Sequence, residues 1–161
     1  MDWNETVENL GPRLFRFFAI RTSEETASDL VQDTLLKLFE LVEKGRFDPK
    51  KGSIGAFSYG IAVNIQREHI RRGKKWRFDP LEAECIAATS AEERDEVFLL
   101  RNAVNKLTEP QLSIIQMYID QELSLSEISS VMDMPVGTIK SHIHRAKTTL
   151  KSKISKMEKE L

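Results

Sequence analysis

Residues 124–150 read SLSEISSVMDMPVGTIKSHIHRAKTTL, and this stretch decides the fold. Ser124 stands three residues before Glu127, the capping-box spacing, and Leu125, Ile128 and Met132 then recur on one face of a short helix. Asp133-Met134-Pro135 turns the chain. Aspartate tolerates the left-handed backbone such a turn often demands, and Pro135 suits a helix start because its missing N–H would be unpaired there anyway. Val136, Ile139, Ile143, Ala146, Leu150 and Ile154 follow at three- and four-residue intervals and predict one buried face. Ser141, His144 and Thr148 then face away from the core, flanked by Lys140, Arg145, Lys147 and Lys151. Short polar groups for base edges between long cations for phosphates suit a major groove, so the stretch predicts a DNA-reading helix-turn-helix.

Outward from this motif, the charge distribution says more than its sum. The 161 residues carry a formal net charge of −1. One basic block holds Arg67, Arg71, Arg72, Lys74, Lys75 and Arg77, and the second helix of the motif supplies another. Between them lies an acidic stretch with Glu82, Glu84, Glu92, Glu93, Asp95 and Glu96. Segregation of this kind is the footprint of nucleic-acid binding on a chain of near-neutral total charge.

Upstream, Leu10, Leu14, Phe17 and Phe18 predict a first helix over about Thr6 to Ile20, which Gly11-Pro12 is expected to break or restart. Ser23 reads as the cap of a second helix, whose stripe of Ala27, Leu30, Val31, Leu35, Leu38, Phe39 and Val42 ends near Gly45. Ser53 reads as the cap of a third, with Phe57, Ile61, Ile65 and Ile70 turned inward and the first basic block at its end. Periodicity fades from about Gly73 to Ser90. Helical spacing returns over Val97 to Lys106 and over Glu109 to Asp120, ahead of the motif. No alternating strand pattern is present, so the chain is expected to be all-α: two small helical domains at 1–76 and 94–161 joined by a flexible linker at 77–93.

Several chemistries are absent. His142 and His144 are two apart on a helix, so they point roughly 200 degrees from one another and cannot share an ion; no metal site is expected. No glycine-rich phosphate loop, nucleophile signature or clustered acid pair predicts a catalytic residue, cofactor or small-molecule substrate. No run approaches the roughly 20 apolar residues that span a bilayer, and the N-terminus lacks the order of a signal peptide. The single Cys85 fits a reducing compartment, so a cytoplasmic protein without membrane insertion is expected.

The run from Glu127 to Ala146 resembles region 4 of bacterial sigma factors of the extracytoplasmic-function group, though alone it would also suit response-regulator domains. The first half separates the two. Ala27-Ser-Asp-Leu-Val-Gln-Asp33 resembles the polymerase-binding motif of region 2, and Phe57-Ser-Tyr-Gly-Ile-Ala-Val-Asn64 resembles the helix that melts promoter DNA. The resemblance covers about residues 8 to 155. It implies that Asp29, Leu30, Gln32 and Asp33 dock on core RNA polymerase. It also implies that Tyr59, Asn64, Arg67, Arg71, Arg72, Lys74 and Lys75 face the minus-ten element of promoter DNA, with Trp76 near. Thr138, Lys140, Ser141, His142, His144 and Arg145 would read the minus-thirty-five element. The loop from Asp48 to Gly55 would help form a pocket for an unstacked base, and an anti-sigma factor clamping both domains is a further expectation.

Departures from the family pattern include Phe57-Ser58 for Trp-Leu, Glu68 for Asp, Ser129 for Ala, Asp133 for Gly and His142 for Arg. Two other readings compete: an interaction protein that mimics a sigma factor and titrates a regulator, and a dimeric helix-turn-helix regulator on palindromic sites.

Overall fold

A computed structural model of the chain describes residues 1–73, 101–120 and 123–160. The described residues are helical, with turns between the helices and no strand. Helix α1 spans Trp3–Ala19, α2 Glu24–Glu43 and α3 Ile54–Arg71. Residues 101–104 are helical, and α4 (Glu109–Ile119), α5 (Leu125–Met132) and α6 (Val136–Glu160) follow. The expected linker at 77–93 lies outside the described residues.

Side-chain oxygens set the helix starts. Asp2 accepts from the N–H groups of Asn4 and Glu5, Ser23 from Thr26, and Ser53 from Ala56. Thr108 with Gln111, and Ser124 with Glu127, form reciprocal capping boxes on α4 and α5. Each cap satisfies an N–H that the first helical turn leaves without a partner. Helix α1 runs unbroken through Gly11-Pro12, against expectation. Pro12 is exposed and forfeits only its own backbone bond, while Leu10, Leu14, Phe17 and Phe18 are buried on either side of it.

Helices α1, α2 and α3 pack together around Leu14, Phe18, Leu38 and Ala62; α4, α5 and α6 pack around Ile114, Met117, Ile128, Ile139 and Ala146. Three residues expected inside are partly exposed: Phe39 at 47%, Ile70 at 41% and Val136 at 37%. Periodicity fixes the direction of a side chain, but burial requires a neighbour at that height. Phe39 instead lays its ring against Trp3, centroids 4.9 Å apart. Ile154 has a side chain outside the described residues.

The two halves are packed on each other. Helix α3 contacts α5, and polar bonds tie α1 and α3 to α4 and to the turn after it. Arg21 is wholly buried; it donates to Glu109 at 3.1 Å, to Ser113 Oγ at 3.0 Å, and to Gln116 and the Phe17 carbonyl. Arg13 donates through Nε to Asp120 at 2.7 Å, and its guanidinium crosses Gly55, where a Cβ would lie 2.8 Å from it. Gln66 reaches Glu109, and Ser53 donates both its N–H and its hydroxyl to Glu127, at 2.9 and 2.6 Å.

Asp133 is the one non-glycine residue with positive φ among those described, at 54°, and it closes α5 in the left-handed region. Glycine adopts that region without Cβ strain. Asp133→Gly is therefore expected to hold or raise stability, by up to about 1 kcal/mol, in a denaturant titration. A loss of more than about 1 kcal/mol would mean that the Asp133 side chain does more than tolerate the turn.

Candidate nucleic-acid interface

In α6, burial of Ile139, Ile143 and Ala146 against α4 and α5 fixes the rotation of the helix about its axis. Thr138, Lys140, Ser141, His144 and Arg145 consequently face solvent, and the last four line one shallow concavity. His142, in the expected set, is half-buried at the edge of the strip, with Nδ1 shielded from solvent. Ser141 donates to the Gly137 carbonyl at 3.1 Å, and Arg145 Nε donates to the Ser141 carbonyl at 3.3 Å. The second bond steadies the guanidinium along the helix and leaves its terminal nitrogens outside that contact. Lys147, expected to flank the strip, sits over the Tyr118 ring, 4.6 Å from its centroid.

On α3, Asn64 and Arg67 are exposed, and Arg71 and Arg72 project from the last turn and C-cap. Glu68 gathers both arginines: Arg71 donates to it at 3.0 and 2.7 Å and Arg72 at 3.2 Å. The Arg71 hydrogen bond is the chief reason that the Glu68 carboxyl sits below its usual range. Lys74, Lys75 and Trp76 lie outside the described residues. Tyr59 is buried, edge-on to Phe17 at 5.7 Å, and its hydroxyl donates to Asp120 at 3.0 Å. Burial, and then the Asp120 charge, push its phenol above the ordinary value.

Asp29, Gln32 and Asp33 are exposed together on α2, as i, i+3, i+4 spacing dictates. Leu30 is buried in the core instead, at 7% exposure. Beside Gln32 an apolar groove is lined by Trp3, Val7, Leu35, Leu36 and Phe39, with Leu36 69% exposed. Leu36 stands next to Leu35 of the buried stripe and so falls off its face, the one sequence signal that could have marked it.

Between the halves lies a cleft of 470 Å³ whose walls include Phe47, Ser53, Phe57 and Asn64 on one side and Glu127 and Val131 on the other. Burial pushes the Glu127 carboxyl up, but the hydrogen bonds from Ser53 and Ser124 outweigh it and hold the group below its usual range. The expected loop thus does wall a cavity, and α5 closes it. Among the described residues no cluster of three or more His, Cys, Asp or Glu could hold a metal, and no helix is long and apolar enough to cross a membrane.

Helix α6 with its outward polar strip, and α3 with its cations, define a two-part, all-helical DNA-binding protein. Comparison with known proteins gives the family. The sigma-70 region 2 profile matches residues 6–77 and the sigma-70 region 4 profile residues 97–150. The ECF RNA polymerase sigma factor SigE of Mycolicibacterium smegmatis is 24% identical over 98% of this chain, which spans 63% of that protein's length. The RNA polymerase sigma factor YlaC of Bacillus subtilis is 27% identical over 84% of this chain and 82% of its own. The sigma factor RpoE of Bartonella quintana, solved with the anti-sigma factor NepR, shares the fold with a TM-score of 0.72 at 21% identity, over 96% of this chain and 97% of that one. The chain belongs to the sigma-70 family, in its extracytoplasmic-function group.

Two substitutions separate reading from holding. Arg145→Ala should reorder affinities across a set of duplexes, costing about 1 to 3 kcal/mol where a base is contacted. Lys151→Ala should weaken all duplexes alike and lower the log–log salt slope by about 0.9. Fluorescence anisotropy at several salt concentrations measures both, and an equal loss on every duplex for Arg145→Ala would remove Arg145 from base readout.

Proposed function

We propose that this chain is a dissociable promoter-specificity subunit: it binds core RNA polymerase, recognises two promoter elements and nucleates strand opening. One observation carries the reading. A single chain pairs an exposed recognition strip on α6 with a second cation-bearing helix, α3, and a separate acidic and amide face of Asp29, Gln32 and Asp33 on α2. A self-contained regulator needs only the first of these.

In this reading Lys140, Ser141, His144 and Arg145 select the upstream element, aided by Thr138 and, at the rim, His142. Asn64, Arg67, Arg71 and Arg72, with Lys74 and Lys75, hold the opened minus-ten strand by phosphate contacts. Tyr59 would join them only after parting from Asp120. Asp29, Gln32 and Asp33 meet the polymerase, and Leu30 supports that face from beneath. The chemistry of RNA synthesis belongs to the polymerase, so this chain is no enzyme, takes no cofactor or small-molecule substrate, and works in the bacterial cytoplasm. An anti-sigma factor is the third partner, supported by the fold shared with a sigma factor solved with one.

The decisive experiment is a pull-down with core RNA polymerase followed by run-off transcription. Polymerase retention and a discrete transcript are expected. Asp33→Lys should reduce retention at least tenfold while the circular dichroism spectrum stays unchanged. Absence of polymerase binding by the unaltered chain would end the proposal, and unchanged retention by Asp33→Lys would remove Asp33 from the docking face.

A further inference from the structure

The contacts between the halves follow one pattern: donors on the N-terminal half, acceptors on the C-terminal half. Arg13, Arg21, Tyr59, Gln66 and Ser53 donate; Asp120, Glu109 and Glu127 accept. Asp120 is the centre of this set. It lies at the C-terminal end of α4 and takes a guanidinium N–H from Arg13 and the phenol O–H of Tyr59 with the same oxygen, Oδ2. Its other work in α4 is small, since its side chain caps no helix start.

Such an arrangement is incompatible with reading two separated DNA elements. Elements centred near minus ten and minus thirty-five lie about 25 base pairs apart, roughly 85 Å along B-form DNA. Here α5, which leads into the recognition helix, touches α3 directly: Glu127 lies 2.6 Å from Ser53 Oγ. Even α6 itself, at 25 residues, is only about 37 Å long. The same contacts bury Tyr59 and place α5 across the cleft from Asn64.

We infer that this interface is an intramolecular latch, with the Asp120 carboxylate as its bolt, that holds the free chain closed and withholds the α3 surface from DNA until core polymerase separates the halves. The inference rests on the proposed function above. The chemistry suits a latch rather than a permanent seam. Charged groups buried against one another regain water when they part, so the closed state is favoured by a modest margin. A ligand that needs the open state then binds more weakly in proportion to the open fraction. Tyr59 serves twice, as a bolt partner when closed and as an exposed aromatic when open.

The test uses the full chain without polymerase. Small-angle scattering gives the radius of gyration, and fluorescence anisotropy gives affinity for a bubble duplex with an unpaired segment. Asp120→Asn removes the bolt's charge; Asp133→Asn makes the same charge change at an exposed turn nearer the recognition helix and serves as control. The unaltered chain should be compact, with a radius below about 20 Å. Asp120→Asn should enlarge it and tighten bubble binding on the order of tenfold more than the control does. Should Asp120→Asn fail to unfold cooperatively, Tyr59→Phe removes one bond to the bolt from within an intact core and should move both readouts the same way, by less. An unaltered chain that is already extended, or folded variants with unchanged radius and unchanged bubble affinity, would overturn the latch. Scattering reads the closure without polymerase, so a chain that failed to bind polymerase would sink the proposed function and leave the closure itself measurable.

Discussion

Arg21 is the largest side chain in the protein that is wholly buried, and a guanidinium carries five N–H donors that must be satisfied away from water. Its own half offers the Phe17 carbonyl and the face of the Phe17 ring, 4.3 Å from the guanidinium carbon. Glu109, Ser113 and Gln116 of α4 complete the set. An isolated buried charge of this kind would cost several kcal/mol, so the N-terminal three helices are fully compensated only when α4 is seated on them. Arg13 repeats the logic one helical stretch earlier, passing over Gly55 to reach Asp120. Two cations on α1 and the turn after it thereby determine where the DNA-reading half sits.

That seating orders the surfaces. The recognition strip of α6 faces outward because Ile139, Ile143 and Ala146 are claimed by its own half, independently of the other. The α3 surface is treated differently: Arg67, Arg71 and Arg72 stay outside, while Tyr59 and the cleft beside Asn64 are enclosed. One DNA-reading element is thus presented and the other partly withheld. The α2 face with Asp29, Gln32 and Asp33 is exposed in the same arrangement, so the surface proposed to meet polymerase is available before the second DNA surface is. Polymerase docking first and strand capture second is the order such a layout favours.

The helices themselves were legible because their signals are local. Ser23, Ser53, Thr108 and Ser124 cap helices where their sequence context placed them, and Asp133 adopts the left-handed turn that its position before Met134-Pro135 called for. The outward strip of α6 was legible for the same reason, since a helix with one apolar face leaves a definite opposite face. The region 2 and region 4 resemblances held as well, and the family matches fall on the same two stretches. Pro12 misled because a single exposed proline forfeits less than four buried large side chains gain. Leu30 and Tyr59 were assigned to contact surfaces by likeness, whereas their burial depends on neighbours far along the chain.

The sequence by itself determined that the chain is all-helical, that its second half carries a helix-turn-helix, and which residues of α6 look outward, since each follows from spacings within a few turns. Tertiary structure alone decided the pairing of Arg13 with Asp120, of Arg21 with Glu109 and of Ser53 with Glu127, and with it the closed cleft and the burial of Tyr59. Part of that was written plainly enough: Arg13 stands three residues after Leu10 and four before Phe17, so a cation lay within a buried stripe and required an acceptor. Which acceptor could not be read, because nothing local links positions 107 residues apart. Only the packing of one half on the other brings them together.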